Sequence, residues 1–572
     1  MDQRLFMAIG LSMVILMGYY MIFPPPPPPV REAVPQQQQQ QETPTQQATP
    51  QAGQPGGATD TAPIVPSASE ETAERKTIVV DTQYYTATFD TLGGRLTGFQ
   101  LKKYHQEKKS LAWGDLIPAL PKFLHGDPAD ENKLMEMAPP SIGGTHPFDV
   151  RLIGEDTLSQ RLRNTVYHTE AENMAIASGS TAQHGMSFRT VTRDGLAITK
   201  RFSFVPDSYI IHYEVTITNT AAHARSAKVA TLFGEGSIHA QAPSSNFVQN
   251  GPMWRSDGDL EQDTPEDAKN GLFVEKPQWI GITDNYFLSA ALPESAVSHG
   301  LYEAVSRKVD EDDFWVASYG LVLPDVTLAP NQSVSGRFRV FMGPKDVDEM
   351  TKFGGKLEEA QDLTLEFLAQ PLLSLMRWFY GFTGNYGIAI ILVTIIVRLV
   401  LFPLSYKGML SMKKMQKLQP RVAALKEKFK DDKERFQKEM MALYRKQKMN
   451  PLGGCLPIML QIPIFIALYQ ALLGAIELRH SPFMFWIVDL SAKDGLYITP
   501  LLMGISMIVQ QKLTPTSLDP TQARIMSFMP WVFMFFMINF PAGLVVYWFT
   551  SNVLGILQQL AINRIKVPEL KD

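Results

Sequence analysis

Five apolar segments in the last third of the chain constrain its fold more than any other feature. They are Gly387–Ser405, Leu456–Leu473, Tyr497–Gln511, Ile525–Phe540 and Leu544–Ile562. A helix needs about 20 apolar residues to cross a bilayer. Because these segments hold only 15 to 19 residues each and several contain proline, they predict thin or tilted spans packed into a five-helix bundle.

A further apolar run, Leu5–Phe23, has the length of a membrane span and lies near the start of the chain. A cleaved signal peptide is the alternative, but its apolar core is usually shorter and ends at a small-residue cleavage site, whereas six prolines follow here. We expect residues 1–23 to form an uncleaved transmembrane signal anchor.

Residues 24–75 are rich in Pro, Gln, Thr and Ala, with six consecutive glutamines. This composition predicts a disordered linker because such residues cannot bury a core.

Between residues 76 and 345 the hydrophobic period changes to two. In the run YIIHYEVTITN, Tyr209–Asn219, apolar residues alternate with polar ones. Similar short runs are Thr77–Val80, Tyr84–Phe89, Leu196–Phe204, Trp279–Thr283 and Gly336–Phe341. Many short alternating strands separated by turns predict a large antiparallel β-sandwich. Its histidines and acids show no motif spacing, so we predict no catalytic site there.

An amphipathic helix is predicted within residues 355–385, between the β-region and the apolar segments. Leucines, a methionine and a phenylalanine recur there at spacings of mostly three and four, and Trp378 and Tyr380 have the aromatic character of a membrane interface. We expect this helix to lie on the outer surface of the membrane, with a break or bend at Pro371.

The loop 406–450 sets the predicted orientation. It contains fourteen Lys or Arg residues and five acids, and the positive-inside rule places such a loop in the cytoplasm. Counting spans in both directions then puts the β-region outside and both termini inside, including the short tail 563–572. An outside domain of this size indicates the periplasm of a bacterium with two membranes.

Apolar residues in the same loop recur at steps of three and four on either side of a turn at residues 430–432. This pattern predicts a cytoplasmic hairpin of two antiparallel helices. The basic residues are explained either as a solvated face with a topology signal, or as a surface that attracts anionic lipids or ribosomal RNA. No DNA partner is expected.

One charged residue, Arg398, interrupts the apolar segment ILVTIIVRLVLFPLS. An arginine in the middle of a span costs about 2.5–3.5 kcal/mol on insertion scales, and none of the other four core segments carries an acid. Either the side chain reaches toward the cytoplasmic surface, or it lies in a water-filled cavity. Polar residues that could line such a cavity are Thr394, Gln461, Gln470, Gln510, Gln511, Tyr547 and Trp548.

The residues alone leave more than one function open. A small-anion transporter and an insertase that receives polar parts of other membrane proteins could both use such a cavity, whereas the apolar outer halves of the spans argue against an ion channel. The single cysteine, Cys455, excludes a multi-cysteine metal site, and no GxxxxGK[ST] loop is present. We predict no cofactor.

Four motifs resemble the YidC family of membrane protein insertases. They are PLLSLMRWFYGFTGNYG, TIIVRLVLFPLS, NPLGGCLPIMLQIPIFIALYQ and FPAGLVVYWFTSN. The resemblance is close from about Gly355 to Ile562, and an anchor followed by a β-domain that ends in FRVFMGPK matches the Gram-negative form. It implies a multi-pass protein of the bacterial inner membrane with six transmembrane helices, a periplasmic β-supersandwich and no enzyme activity.

The resemblance also implies a site and partners. The groove residues that it implies are Arg398, Thr394, Gln461 and Trp548, although the family commonly has a tyrosine where Trp548 stands. Tyr547 is added to them as a polar residue of the last apolar segment. Implied partners are nascent membrane proteins, the Sec translocon and, through hairpin 406–450, ribosome–nascent chain complexes; anionic lipids are expected from the basic charge of the same loop. The nearly neutral tail KVPELKD does not support tail-mediated ribosome docking. A membrane-anchored periplasmic carbohydrate-binding protein remains an alternative beside the transporter.

Overall fold

The structure is a computed structural model. It describes residues 74–106, 108, 112, 115, 132–138, 141, 144–182, 184–239, 250–309, 312–361, 365–429, 432–446, 456–513 and 520–565. The predicted anchor, 1–23, and the predicted linker as far as residue 73 lie outside the described residues.

Strands make up most of the chain between Thr77 and Pro344. They are β1 (Thr77–Asp81), β2 (Tyr85–Asp90), β3 (Arg95–His105), β4 (Leu134–Glu136), β5 (Val150–Leu152), β6 (Met174–Ala175), β7 (His184–Val191), β8 (Leu196–Phe204), β9 (Ile210–Asn219), β10 (Arg225–Ala227), β11 (Val229–His239), β12 (Gly251–Ser256), β13 (Asp259–Gln262), β14 (Leu272–Glu275), β15 (Pro277–Thr283), β16 (Phe287–Pro293), β17 (His299–Val309), β18 (Asp312–Val322), β19 (Val326–Leu328) and β20 (Ser333–Pro344). One short helix, α1 (Asp156–Arg163), follows β5.

Three large sheets and a two-stranded ribbon contain these strands. Their strand orders are β13-β12-β15-β16-β20-β9-β8-β7, β14-β17-β18-β11-β5, β4-β3-β2-β1-β6 and β10-β19. All pairings are antiparallel except that of β1 with β6. The predicted β-rich region is therefore present, and its largest sheet has eight strands.

Aromatic side chains join the sheets into one core. The ring of Phe89 on β2 lies 4.9 Å from that of Phe202 on β8, and the rings of Phe233 on β11 and Phe338 on β20 are 5.1 Å apart. Each smaller sheet thus packs against the eight-stranded sheet, as in a sandwich. On β9 the alternation predicted from sequence is confirmed, because the residues at every second position from Ile211 to Ile217 are buried.

Helices form the rest of the described chain. They are α2 (Val347–Phe353), α3 (Glu366–Thr383), α4 (Tyr386–Lys428), α5 (Lys433–Lys446), α6 (Leu456–Gly474), α7 (Ile498–Leu513), α8 (Pro520–Met537) and α9 (Ala542–Asn563). Among the described residues, α4 and α9 are long and apolar enough to cross a membrane, and shorter apolar stretches cover Gln461–Gly474 and Met526–Met537.

The predicted span 387–405 and the first part of the predicted loop 406–450 lie in one helix. α4 runs unbroken for 43 residues from Tyr386 to Lys428 and passes through Pro403 and Pro420. A proline within a helix removes one hydrogen bond and costs roughly 3 kcal/mol, and packing of α4 against α3, α6 and α9 supplies tertiary stabilisation. The apolar segment and the first basic segment therefore form one continuous helix.

Helix α3 likewise continues through Pro371, where a break or bend was predicted. Its inner face packs on the bundle through the buried residues Ala369, Leu373 and Met376. The opposite face carries exposed aromatic rings, with Trp378 58% exposed and Phe382 70% exposed. The leucine stripe seen in the sequence therefore borders the bundle, while large aromatic residues face outward.

Candidate functional site

The site is built around Arg398, which lies three turns into α4. The helix starts at Asn385, whose side chain caps it by accepting a hydrogen bond from the Ile388 N–H at 3.1 Å. Arg398 is half-buried, but the next two residues, Leu399 and Val400, are 61% and 73% exposed. At this level of α4, other faces of the helix than the one that carries the guanidinium are therefore open and apolar.

Ser551 on α9 holds the guanidinium. Arg398 Nε donates to Ser551 Oγ at 3.1 Å, and Nη2 donates both to Oγ at 2.7 Å and to the Ser551 carbonyl at 2.8 Å. Ser551 is only 5% exposed. Its neutral oxygens satisfy part of the donor capacity that makes a buried arginine costly, without cancelling the charge.

No acid pairs with Arg398 within the described residues. Two acids in the segment between α6 and α7 have other partners, since Glu477 pairs with Arg377 at 2.7 Å and Asp494 accepts the Thr499 N–H at 2.7 Å. The cation of Arg398 thus keeps its full charge inside an apolar bundle. Such a group attracts any anion that can reach it.

A second hydrogen bond joins α6 to α9 on the same face. Gln461 Nε2 donates to the Tyr547 hydroxyl at 2.7 Å. Tyr547 and Ser551 are four residues apart on α9, so their side chains are neighbours, and Tyr547 is close enough to Arg398 to interact with it electrostatically. The structure therefore brings Arg398, Gln461 and Tyr547 into one polar layer.

The other two predicted residues have different surroundings. Thr394 lies one turn before Arg398 and is buried, with its hydroxyl donating to the Ile390 carbonyl at 2.6 Å. Trp548 lies between helices, with its indole 4.6 Å from the ring of Phe465 on α6 and 5.4 Å from that of Phe533 on α8. Thr394 belongs to the Arg398 face of α4, whereas Trp548 belongs to an aromatic cluster beside it.

Helix α7 closes the other side of the layer. The Asn552 amide donates to Ser506 Oγ at 3.0 Å and so ties α9 to α7. A Cβ placed on Gly555 would lie 2.6 Å from Gln510 Nε2 and 3.6 Å from Arg398 Nη2. Because Gly555 has no side chain, the Gln510 amide and the guanidinium approach the same stretch of α9.

Ser551 and Gly555 are the residues that sequence reasoning missed. Ser551 stands in the motif FPAGLVVYWFTSN, one turn after Tyr547, and that spacing was the available signal. An isolated serine in an apolar helix commonly bonds to its own backbone, so the sequence alone does not assign it to a residue 153 positions away. Gln511, by contrast, donates to the Met526 carbonyl of α8 rather than joining the layer.

A bundle of apolar helices with an internal cation and an attached β-domain defines a class of integral membrane proteins with a large extramembrane domain. The chain matches two family models, described as the YidC periplasmic domain over residues 120–375 and as the 60Kd inner membrane protein over residues 378–569.

Similar proteins agree with these matches. A membrane protein insertase YidC of Geotalea daltonii is 36% identical over 510 residues, which cover 89% of this chain and 90% of that protein. One of Geobacter sulfurreducens is 37% identical over 486 residues, 85% of each chain. A solved active YidC insertase is 21% identical with a TM-score of 0.35 and covers 86% of this chain and 93% of its own.

This chain belongs to the YidC family of membrane protein insertases, as the resemblance of its motifs predicted. Most of the β-rich region lies within the match to the periplasmic domain of this family, and the helices from α4 to α9 lie within the match to the 60Kd inner membrane protein.

Proposed function

We propose that this protein inserts inner-membrane proteins into the bilayer and helps them fold, with Arg398 receiving the polar flank of each client. The observation that carries this proposal is the half-buried guanidinium, held by the neutral Ser551 and unpaired with any described acid. A client carboxylate is the counter-charge that this arrangement lacks. Thr394, Gln461, Tyr547 and Trp548 are the remaining candidates for groove residues.

The client helix docks against the exposed apolar surface next to the site. Leu399 and Val400 offer this surface on α4, while the hydrophilic flank of the client lies against Arg398. The flank then moves outward as the helix buries apolar area in lipid, which contributes about 25 cal/mol per Å². A membrane potential that is positive outside assists each negative charge by about 2.3 kcal/mol per 100 mV. This sequence of steps requires neither ATP nor covalent chemistry.

The topology that this function needs has the periplasmic domain (76–345) outside and both termini in the cytoplasm. It includes six spans, with an anchor at 1–23 and five core helices, and a cytoplasmic hairpin formed by the end of α4 and by α5. Further proposed partners are the Sec translocon, anionic lipids and, through the hairpin, ribosome–nascent chain complexes. The basic residues of α4 and α5 support the last two.

Reconstitution of the full chain into vesicles with one short client tests the function. The client carries an acidic outward flank, and protease protection of that flank measures insertion. We expect insertion by wild type, partial activity of Arg398→Lys because the charge is retained, and a loss of about tenfold or more in Arg398→Ala. Equal activity of all three proteins would exclude an electrostatic role of Arg398.

The same vesicles test the alternatives. A small-anion transporter would show saturable uptake of a small anion that Arg398→Ala abolishes. A periplasmic carbohydrate-binding protein would bind sugars and leave client insertion unaffected. Insertion without anion uptake supports the insertase.

A further inference from the structure

The hydrogen bonds of Arg398 limit how a client carboxylate can bind to it. A guanidinium has five N–H donors, one on Nε and two on each Nη nitrogen. Ser551 takes three of them, namely the one on Nε and both on Nη2. Within the described part of the chain, the two donors on Nη1 have no partner.

A carboxylate forms its strong bidentate pair with arginine through two parallel N–H groups on different nitrogens. The two possible edges are Nε with Nη2 and Nη1 with Nη2. Both edges include Nη2, whose donors are already engaged by Ser551. A carboxylate that reaches Arg398 without breaking these bonds can therefore bind to Nη1 alone.

Gly555 lies one turn after Ser551 on α9. A Cβ at residue 555 would clash with Gln510 Nε2 at 2.6 Å, whereas its distance of 3.6 Å to Arg398 Nη2 is an ordinary van der Waals contact. Small residues permit close approach between membrane helices. Glycine at this position therefore makes room for the Gln510 amide, while the bond from Nη2 to the Ser551 carbonyl holds the guanidinium against the backbone of α9.

We propose that Ser551 is a positioning residue that keeps the bidentate edges of Arg398 occupied, so that an acidic client flank is held through Nη1 only and can leave. An insertase has to release every client, and a bidentate pair in a low-dielectric site is slow to dissociate. Ser551 thereby speeds the release of acidic client flanks and does not affect the release of neutral flanks. This inference rests on the proposed insertase function.

The test uses the full-length protein in vesicles and two matched single-span clients. One client carries two aspartates in its outward flank and the other carries two asparagines, and each has a photo-cross-linker beside them. We expect Ser551→Ala to increase cross-linking of the aspartate client at the groove about fivefold and to lower its protease protection by a similar factor. The asparagine client stays unchanged, which also shows that the variant is folded.

Two further variants test whether the Ser551 hydroxyl is the group responsible. Ser551→Thr keeps an oxygen at the same position and restores release of the aspartate client. Thr550→Ala removes a hydroxyl one residue earlier on α9, about 100° around the helix axis, and leaves both clients as in wild type. In an Arg398→Ala background, Ser551→Ala has no additional effect, because the residue acts only through Arg398.

Each other outcome overturns the inference in a recognisable way. An equal loss for both clients in Ser551→Ala indicates a structural role, and reduced cross-linking of the aspartate client means that Ser551 promotes binding instead of release. An unchanged aspartate client in Ser551→Ala, together with a loss in Arg398→Ala, rejects the role of Ser551 and keeps the proposed function. If Arg398→Ala itself leaves the aspartate client unaffected, both proposals fail.

Discussion

The guanidinium of Arg479, in the segment that follows α6, donates a 2.6 Å hydrogen bond to the backbone carbonyl of His105 at the end of β3. Arg479 Nη2 donates to the Gln106 carbonyl at 2.8 Å, and the guanidinium carbon lies 5.1 Å from the ring centre of Phe287. Nearby, Ile476 is buried within the core of the periplasmic domain. The end of α6, the helix that carries Gln461, is therefore attached to the periplasmic domain.

Replacing Arg479 with alanine is expected to loosen this attachment. Loss of two charge-assisted hydrogen bonds costs about 2 kcal/mol or more, so amide hydrogen exchange at the end of β3 accelerates by about tenfold or more. Arg479→Lys gives an intermediate rate because the single ammonium nitrogen lacks the planar fork with which the two Nη atoms of arginine reach both carbonyls. The exposed Lys493 of the same segment is the matched control, and exchange that is equally fast in Lys493→Ala would contradict the attachment.

Gly387 at the start of α4 is expected to tolerate no side chain. A Cβ there would clash with the ring of Phe483, whereas a Cβ on Gly474 at the end of α6 would meet nothing within 4 Å. Gly387→Ala therefore lowers stability by about 1–3 kcal/mol through overpacking, although alanine is the better helix former. Gly474→Ala is neutral or slightly stabilising. Thermal unfolding of both variants in detergent measures the difference, and equal melting temperatures would refute it.

A buried lysine makes the periplasmic domain sensitive to pH. Lys200 on β8 is 1% exposed, and its Nζ donates to the carbonyls of Gly93 at 2.6 Å, Gly94 at 3.2 Å and Phe148 at 2.7 Å. Burial lowers the pKa of Lys200 from 10.5 to about 7, and the nearby carboxylate of Asp149 opposes this shift. The domain therefore carries an unfavourable buried charge when Lys200 is protonated.

The sign of the pH effect follows from proton binding. Between about pH 7 and pH 10.5 the unfolded chain keeps the lysine proton and the folded domain releases it, so the free energy of unfolding rises with pH. We expect a rise of about 1–3 kcal/mol between pH 7 and pH 9, relative to Lys200→Met. Guanidinium unfolding of the full chain in detergent, followed by tryptophan fluorescence, measures this slope. An equal change of the free energy of unfolding with pH in wild type and Lys200→Met would refute this prediction.

The bond between Gln461 and Tyr547 is expected to contribute modestly. Hydrogen bonds between membrane helices average about 0.6 kcal/mol in double-mutant cycles, so Tyr547→Phe and Gln461→Met should be coupled by about that amount. The measurement is the free energy of unfolding in detergent of wild type, both single variants and the double variant. Strictly additive effects would mean that the 2.7 Å contact adds nothing to stability.

Local patterns made much of the architecture predictable. Strands show a period of two and helices a period of three to four because backbone geometry repeats over a few residues. Sequence could therefore locate β9, whose residues from Ile211 to Ile217 alternate between buried and accessible, and the apolar helix that contains Arg398. The ends of elements were less predictable, since α4 continues through Pro403 and Pro420 to Lys428 and tertiary context overrides such local signals.

The sequence by itself determined that a permanent cation lies in an apolar segment whose neighbouring core segments offer no acid. Only the tertiary structure decided which groups hold it. Ser551 is 153 residues away from Arg398 and becomes its partner because α4 and α9 pack side by side. Charge and hydropathy are properties of single residues and can be read directly, whereas a hydrogen bond between distant helices depends on the orientation in which they pack.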